Sequence, residues 1–196
     1  MNLSKFDLYL LHYPISLKFV PFDQRYPPGW LHNPEHGQVI EERVPMQQTW
    51  AAMEALVDDG LVQYLGVCNI DVQLLRDILS YCRIHPAVVQ IEYHPYCQPD
   101  EILHFCRKNE ISVCCVINPK DSYLSDPLIV QIAQNVYKTP LEVCIKWLSY
   151  KGLAVLLQNL DFSPKFDQNW GLSANEVELI ENLDQNRKMR DEVKEI

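Results

Sequence analysis

Phe6-Asp7-Leu8-Tyr9-Leu10-Leu11-His12 is the stretch that decides the fold: a short, nearly continuous apolar strand that delivers a histidine at its carboxyl end. The same pattern returns four times. Val62–Val67 runs into Cys68-Asn69, Ala87–Ile91 carries Gln90, Ser112–Ile117 is rich in Val and Cys, and Leu153–Leu157 ends at Gln158. Helical periodicity fills the intervals, with Met46, Trp50, Met53 and Val57 in one segment and Leu74, Leu75, Ile78 and Leu79 in another. Strands that are apolar on both faces predict a parallel sheet covered by helices. Polar residues gathered at the carboxyl ends of such strands predict an α/β fold of (β/α)8 (TIM) barrel type, whose sites are built from the loops at that end. A closed barrel needs eight strands and typically about 250 residues. This chain of 196 residues offers five strands, so a partial barrel is expected.

Local signals set the boundaries. Pro45 suits the start of the first helix and Gly60 its end; Asp71–Cys82 and Asp100–Lys108 read as further helices. Asp126-Pro127 and Thr139-Pro140 each pair an N-cap with a proline at the first helical position, Gly152 stops the second of these helices, and Ser173-Ala174-Asn175-Glu176 is a capping box. A short helical piece is expected after Pro164, and the charged end, residues 187–196, is expected to fray. The segment Tyr13–Val44 is a long loop holding Pro14, Pro21, Pro27, Pro28, Gly29 and Pro34. Its aromatics Phe19, Phe22, Tyr26 and Trp30 suggest packing against a surface. Residues 1–196 read as a single domain.

The formal charge of −9, with no basic tract, argues against nucleic-acid binding or attachment to an anionic membrane. No apolar run approaches the ~20 residues of a membrane span, and the opening Met1–Phe6 lacks the basic and apolar regions of a signal peptide. Seven cysteines fall mostly inside apolar segments, without zinc spacing, and read as reduced packed thiols of a reducing compartment such as the cytoplasm.

Four motifs together resemble the aldo-keto reductase family. Asp7-Leu8-Tyr9-Leu10-Leu11-His12-Tyr13-Pro14 is similar to the family segment that ends in the active-site histidine. Trp50–Val57, Gly60–Asn69 and Pro86-Ala87-Val88-Val89-Gln90-Ile91-Glu92-Tyr93-His94-Pro95-Tyr96 resemble later segments, in the family's order. Lys18-Phe19-Val20-Pro21 with Tyr26-Pro27-Pro28-Gly29 looks like the xylose/aldose reductase branch. The resemblance implies strands four to eight of the barrel. It also implies a reaction in which a carbonyl takes hydride from NADPH and a proton from a tyrosine tuned by a lysine and an aspartate, while a histidine orients the carbonyl.

Of that catalytic set only His12 has a counterpart here, with Tyr13 and Trp30 in the implied substrate pocket. The resemblance places Asn69 and Gln90 on the nicotinamide carboxamide and Asn169 near the adenine. Cys68 stands where the family has a serine, and Val116 where an aromatic ring stacks on the nicotinamide. Gln158-Asn159 and Lys165 stand in the region that grips the 2′-phosphate. Weakened or lost NADPH binding, and no metal, are therefore expected.

Each assignment has a plainer counterpart. His12 is either a carbonyl-orienting group or a satisfied structural histidine at a strand end. Asn69 and Gln90 either hold a cofactor or satisfy loop backbone groups. Glu92 and His94, alternating with Gln90, read either as a solvated or inter-loop polar set or as an acid–base pair, the first being favoured, and His32, His36 and His104 read as structural. Two expectations about the whole chain follow: a non-catalytic binding or structural subunit, or an NADPH-dependent aldehyde or aldose reductase seen in part. In either case the first and last strands would leave open barrel edges, to be covered by a second copy, a protein partner or a further amino-terminal segment.

Overall fold

The computed structural model describes residues 4–19, 41–158 and 169–189. Trp30, Asn159 and Lys165, the loop residues Phe22, Tyr26, His32 and His36, and the helical piece expected after Pro164 lie outside the described residues. Those described gather into two compact units, one reaching His85 and the other spanning Pro86–Met189.

The first unit runs β1 (Phe6–Leu11), α1 (Met46–Asp58), β2 (Val62–Cys68) and α2 (Val72–Tyr81). β1 and β2 are parallel, with Phe6 opposite Val62 and Leu11 opposite Val67. Parallel neighbours need a crossover, which α1 supplies. Gly60 ends that crossover at φ 71, a left-handed turn that a side chain would strain. The Asp71 carboxylate accepts from the Leu74 N–H and caps α2. Pro45 proves to be the flanking residue of α1 rather than its first helical one, because its ψ of 138 is extended. The long loop is tied at its base: Leu17 bridges Glu41, and the Ser16 hydroxyl donates to the Val44 carbonyl at 2.9 Å. Phe19, expected to pack, is 74% exposed.

The second unit runs β3 (Val88–Ile91), α3 (Asp100–Lys108), β4 (Ser112–Ile117), a 3-10 turn at Ser122–Ser125, α4 (Pro127–Asn135), α5 (Pro140–Tyr150), β5 (Ala154–Leu157) and α6 (Ala174–Glu181). The three strands are parallel in the order β3–β4–β5. The N-caps expected at Asp126, Thr139 and Ser173 all form, the last two as complete capping boxes. The 3-10 turn was not anticipated, and β3 and β5 each begin one residue later than the composition suggested. Fraying from Arg187 onward does not hold for the described part: the Arg187 N–H donates to the Tyr96 carbonyl at 2.8 Å, and the Met189 N–H to the Glu92 carboxylate.

Registered partners in a parallel sheet project to the same side, so the two faces of each sheet can be read separately. In the second unit Val89, Ile91, Val113, Cys115 and Ile117 are buried on one face. The opposite face carries half-buried Gln90 and Val116 and ends in Leu156, 49% exposed. In the first unit Leu65 and Val67 are buried, whereas Phe6 (52%), Leu8 (39%) and Tyr64 (52%) stand in the open on the other side. One face of the second unit's sheet is therefore core and the other only partly covered, whereas in the first unit both faces are partly covered: Tyr9, opposite Leu65, is 47% exposed, and Val62, opposite Phe6, is buried.

Glu54 is the one acidic side chain buried among the described residues. Its Oε1 accepts from the Arg83 and Ile84 N–H groups at 2.7 and 2.8 Å, while the Trp50 indole donates to the Ile84 carbonyl at 3.1 Å. Three bonds thus fix the turn that leaves α2. Glu54→Ala strands two part-buried amides and should cost about 2–6 kcal/mol in urea unfolding, since each donor left unsatisfied costs roughly 1–3 kcal/mol. A cost below about 0.5 kcal/mol would show that water replaces the carboxylate.

Candidate functional site

In the first unit, the register that sets Leu11 opposite Val67 brings the two strand ends level. His12 follows β1 and is exposed, and Tyr13 beside it is 8% exposed and meets the imidazole edge-on, ring centres 4.9 Å apart. Cys68 closes β2 and is buried. Asn69 then turns left-handed, at φ 55, and its Nδ2 donates to the His12 carbonyl at 2.9 Å. Asn tolerates that conformation better than most residues. His12, Tyr13, Cys68 and Asn69 thus lie at the two level strand ends. The direct link from Asn69 to His12 has no signature in the sequence beyond an asparagine at a strand end.

In the second unit, Gln90 registers with Cys114 and so shares the open face with Val116. Gln158 follows β5, exposed, with its N–H donating to the Ile117 carbonyl at 2.9 Å. Asn169 is exposed as well. A half-buried amide on an open apolar face suits a carboxamide. Val116 offers no π face for stacking, and Gln158 brings an amide where an anionic phosphate calls for a cation. The described residues of this unit therefore fit the nicotinamide end of a dinucleotide better than its phosphate end. No group of three or more His, Cys, Asp or Glu side chains suited to a metal occurs among the described residues.

A tyrosine, an aspartate and a lysine do meet in the second unit, which invites comparison with an acid-catalytic set. The Tyr93 hydroxyl donates to Asp100 Oδ1 at 2.5 Å, and Lys151 Nζ lies 3.7 Å from Asp100 and 2.8 Å from Glu181. Their effect on the phenol is the reverse of what acid catalysis needs. Burial first, then the bond to Asp100, push the Tyr93 hydroxyl far above its ordinary range, and a fully buried phenol cannot reach a substrate. This trio is structural.

Of the two readings open for Glu92 and His94, the inter-loop one holds. β3 ends before them, His94 is 2% exposed, and its Nε2 lies 2.9 Å from Glu92 Oε1. Its Nδ1 accepts from the Tyr96 N–H at 3.2 Å, and its ring stacks on Tyr123 at 4.7 Å. Tyr96 itself donates to Asp126, so the Tyr93 and Tyr96 rings pack the loop as expected. His104 is exposed on α3. Six of the seven cysteines are buried and Cys82 half-buried; burial pushes the Cys97 and Cys106 thiols up to about 11, leaving little thiolate at neutral pH.

A strand-end histidine beside a left-handed asparagine, on a β/α framework, directs the comparison with known proteins. The model of the aldo/keto reductase family matches residues 1–119. The chain belongs to the aldo/keto reductase family. It is 37% identical to the protein named "Probable NAD(P)H-dependent D-xylose reductase" of Emericella nidulans, covering 97% of this chain and 65% of that one. With the NAD(P)H-dependent D-xylose reductase of Pachysolen tannophilus the identity is 39%, over 79% of this chain and 53% of the other. Among solved structures, the aldose reductase of Schistosoma japonicum matches with a TM-score of 0.80 at 28% identity, covering 96% of this chain and 61% of that one. The fold is therefore a partial (β/α)8 barrel, and the chain spans 53–65% of the length of these reductases.

Tyr81 and Tyr96, raised chiefly by burial and then by Asp77 and Asp126, are pushed up to about 12, and Tyr93 further. The folded chain keeps protons that an unfolded chain releases near a pH of about 10. That contribution is complete below pH ~10 and falls as pH rises through ~10–12. The urea midpoint should drop across this interval, and Tyr93→Phe should flatten the drop. An unchanged slope in Tyr93→Phe would contradict the assignment.

Proposed function

We propose that this chain supplies the carbonyl-orienting and nicotinamide-holding part of a carbonyl reductase of the aldose or xylose type, and that residues 1–196 by themselves bind rather than turn over. The pairing of His12 with Asn69 at the level ends of β1 and β2 carries the reading. In its support, the relatives are named as NAD(P)H-dependent D-xylose reductases. A bound nicotinamide would supply the hydride. His12 orients the substrate carbonyl, Asn69 offers its amide oxygen to the carboxamide, and Tyr13 packs the imidazole from the side. Val116 and Gln158 leave NADPH held weakly, each missing contact being worth about 1–3 kcal/mol. Tyr93, bonded to Asp100 beside Lys151, is buried and does not serve as the proton donor.

The partly covered sheet faces favour a cover made of further β/α structure, whether from a longer chain, a second copy or a partner protein. The same cover is where a tyrosine, lysine and aspartate would stand. The buried thiols favour a reducing compartment such as the cytoplasm. No helix among the described residues is long and apolar enough to cross a membrane.

The test compares residues 1–196 alone with the same residues fused behind the amino-terminal third of the Emericella nidulans relative, assayed for NADPH oxidation with xylose and glyceraldehyde. The chain alone should show no turnover above background. The fusion should turn over, and should lose that activity on His12→Ala. Turnover by residues 1–196 alone that His12→Ala abolishes would contradict the proposal and reveal a proton donor within this sequence.

A further inference from the structure

The amide of Asn69 is spoken for before any ligand arrives. Its Nδ2 donates to the main-chain carbonyl of His12 at 2.9 Å, across a separation of 57 residues in sequence. Two features make this more than a chance contact at a strand end. First, Asn69 holds φ 55, a conformation that a non-glycine residue adopts at a cost and that persists where surroundings enforce it. Second, the acceptor is the carbonyl of the very residue whose imidazole is presented to solvent, while the next residue, Tyr13, is buried and braces that imidazole edge-on at 4.9 Å. The main chain of His12 is thus gripped from one side and its ring leaned on from the other.

We infer that Asn69 is a positioning residue for His12: it clamps the His12–Tyr13 peptide so that the imidazole keeps one orientation. This deepens the proposed function, since its consequence for reduction rests on His12 orienting a carbonyl, but the clamp itself exists or fails independently of turnover. It also divides the Asn69 side chain between two tasks. Nδ2 serves the protein, and Oδ1 remains as the acceptor that a carboxamide N–H would meet. Asp or Ser at this position would not serve both tasks, because Asp has no N–H donor and the single Ser hydroxyl is shorter.

The test is nuclear magnetic resonance on residues 1–196 in whatever oligomeric state they adopt. In the unsubstituted chain a through-hydrogen-bond coupling between Asn69 Nδ2 and the His12 carbonyl carbon, with cross-relaxation between the His12 and Tyr13 rings, is expected. Asn69→Gly keeps the left-handed backbone and removes the donor; Asn69→Asp keeps the size and sets oxygen against oxygen. In both variants the ring cross-relaxation should be lost and the His12 imidazole signals should move to the positions of an unstructured histidine. A clip that merely ties two strand ends would lower the melting temperature while leaving the His12 ring signals in place. That outcome overturns the inference, as does an unsubstituted chain without the coupling. Should both variants unfold, presence or absence of the coupling and of the ring contact in the unsubstituted chain decides.

Discussion

A parallel strand needs cover on both faces, because its crossover connections stack helices on one side and the barrel interior lies on the other. Everything in this chain follows from how far that requirement is met. On one side it is met in the main: Leu65, Val67, Val89, Cys115 and Ile117 are buried, although Tyr9, opposite Leu65, stands exposed at the β1 edge. On the other side Phe6, Leu8, Tyr64 and Leu156 remain open. In a closed barrel that side is filled by layers of side chains contributed from strands around the whole ring. Five strands provide part of each layer, so the interior is the term left incomplete.

The chemistry inherits the same incompleteness. His12 and Asn69 are held by strand register and by a side-chain bond to the main chain, both local to β1 and β2, and so they are in place whether or not the interior is filled. The proton donor of the family's reaction is a different matter. Tyr93, which bonds Asp100 beside Lys151, is buried and has its hydroxyl raised rather than lowered. In the proposed function His12 and Asn69 orient and hold, and proton transfer needs a donor besides them.

Most of the fold was legible because the signals were local and agreed with one another. β1 and β4 have the limits that composition suggested, and capping residues marked three helix starts to the residue. Legibility failed where tertiary contacts decide. Nothing in the charged run after Arg187 indicates that its first residues lie against the loop after β3, since the bonds come from Tyr96 and Glu92, about ninety residues earlier. Nothing in the α1 pattern marks Glu54 as buried; its bonds to two amides of the loop after α2 do. At the site, residue types showed His12, Asn69 and Gln90, but not the bond that joins the first two, because a left-handed asparagine and an extended one look alike in sequence.

The central claim is that the open faces demand cover, and the mass of residues 1–196 in solution tests it most directly. Size-exclusion chromatography with light scattering on the purified chain should show self-association, or a monomer that gains solubility and cooperative unfolding only when fused to the β/α units that complete a barrel. A monodisperse 22.9 kDa monomer that unfolds cooperatively on its own would contradict the account, and would mean that Phe6, Leu8, Tyr64 and Leu156 are covered from within the chain.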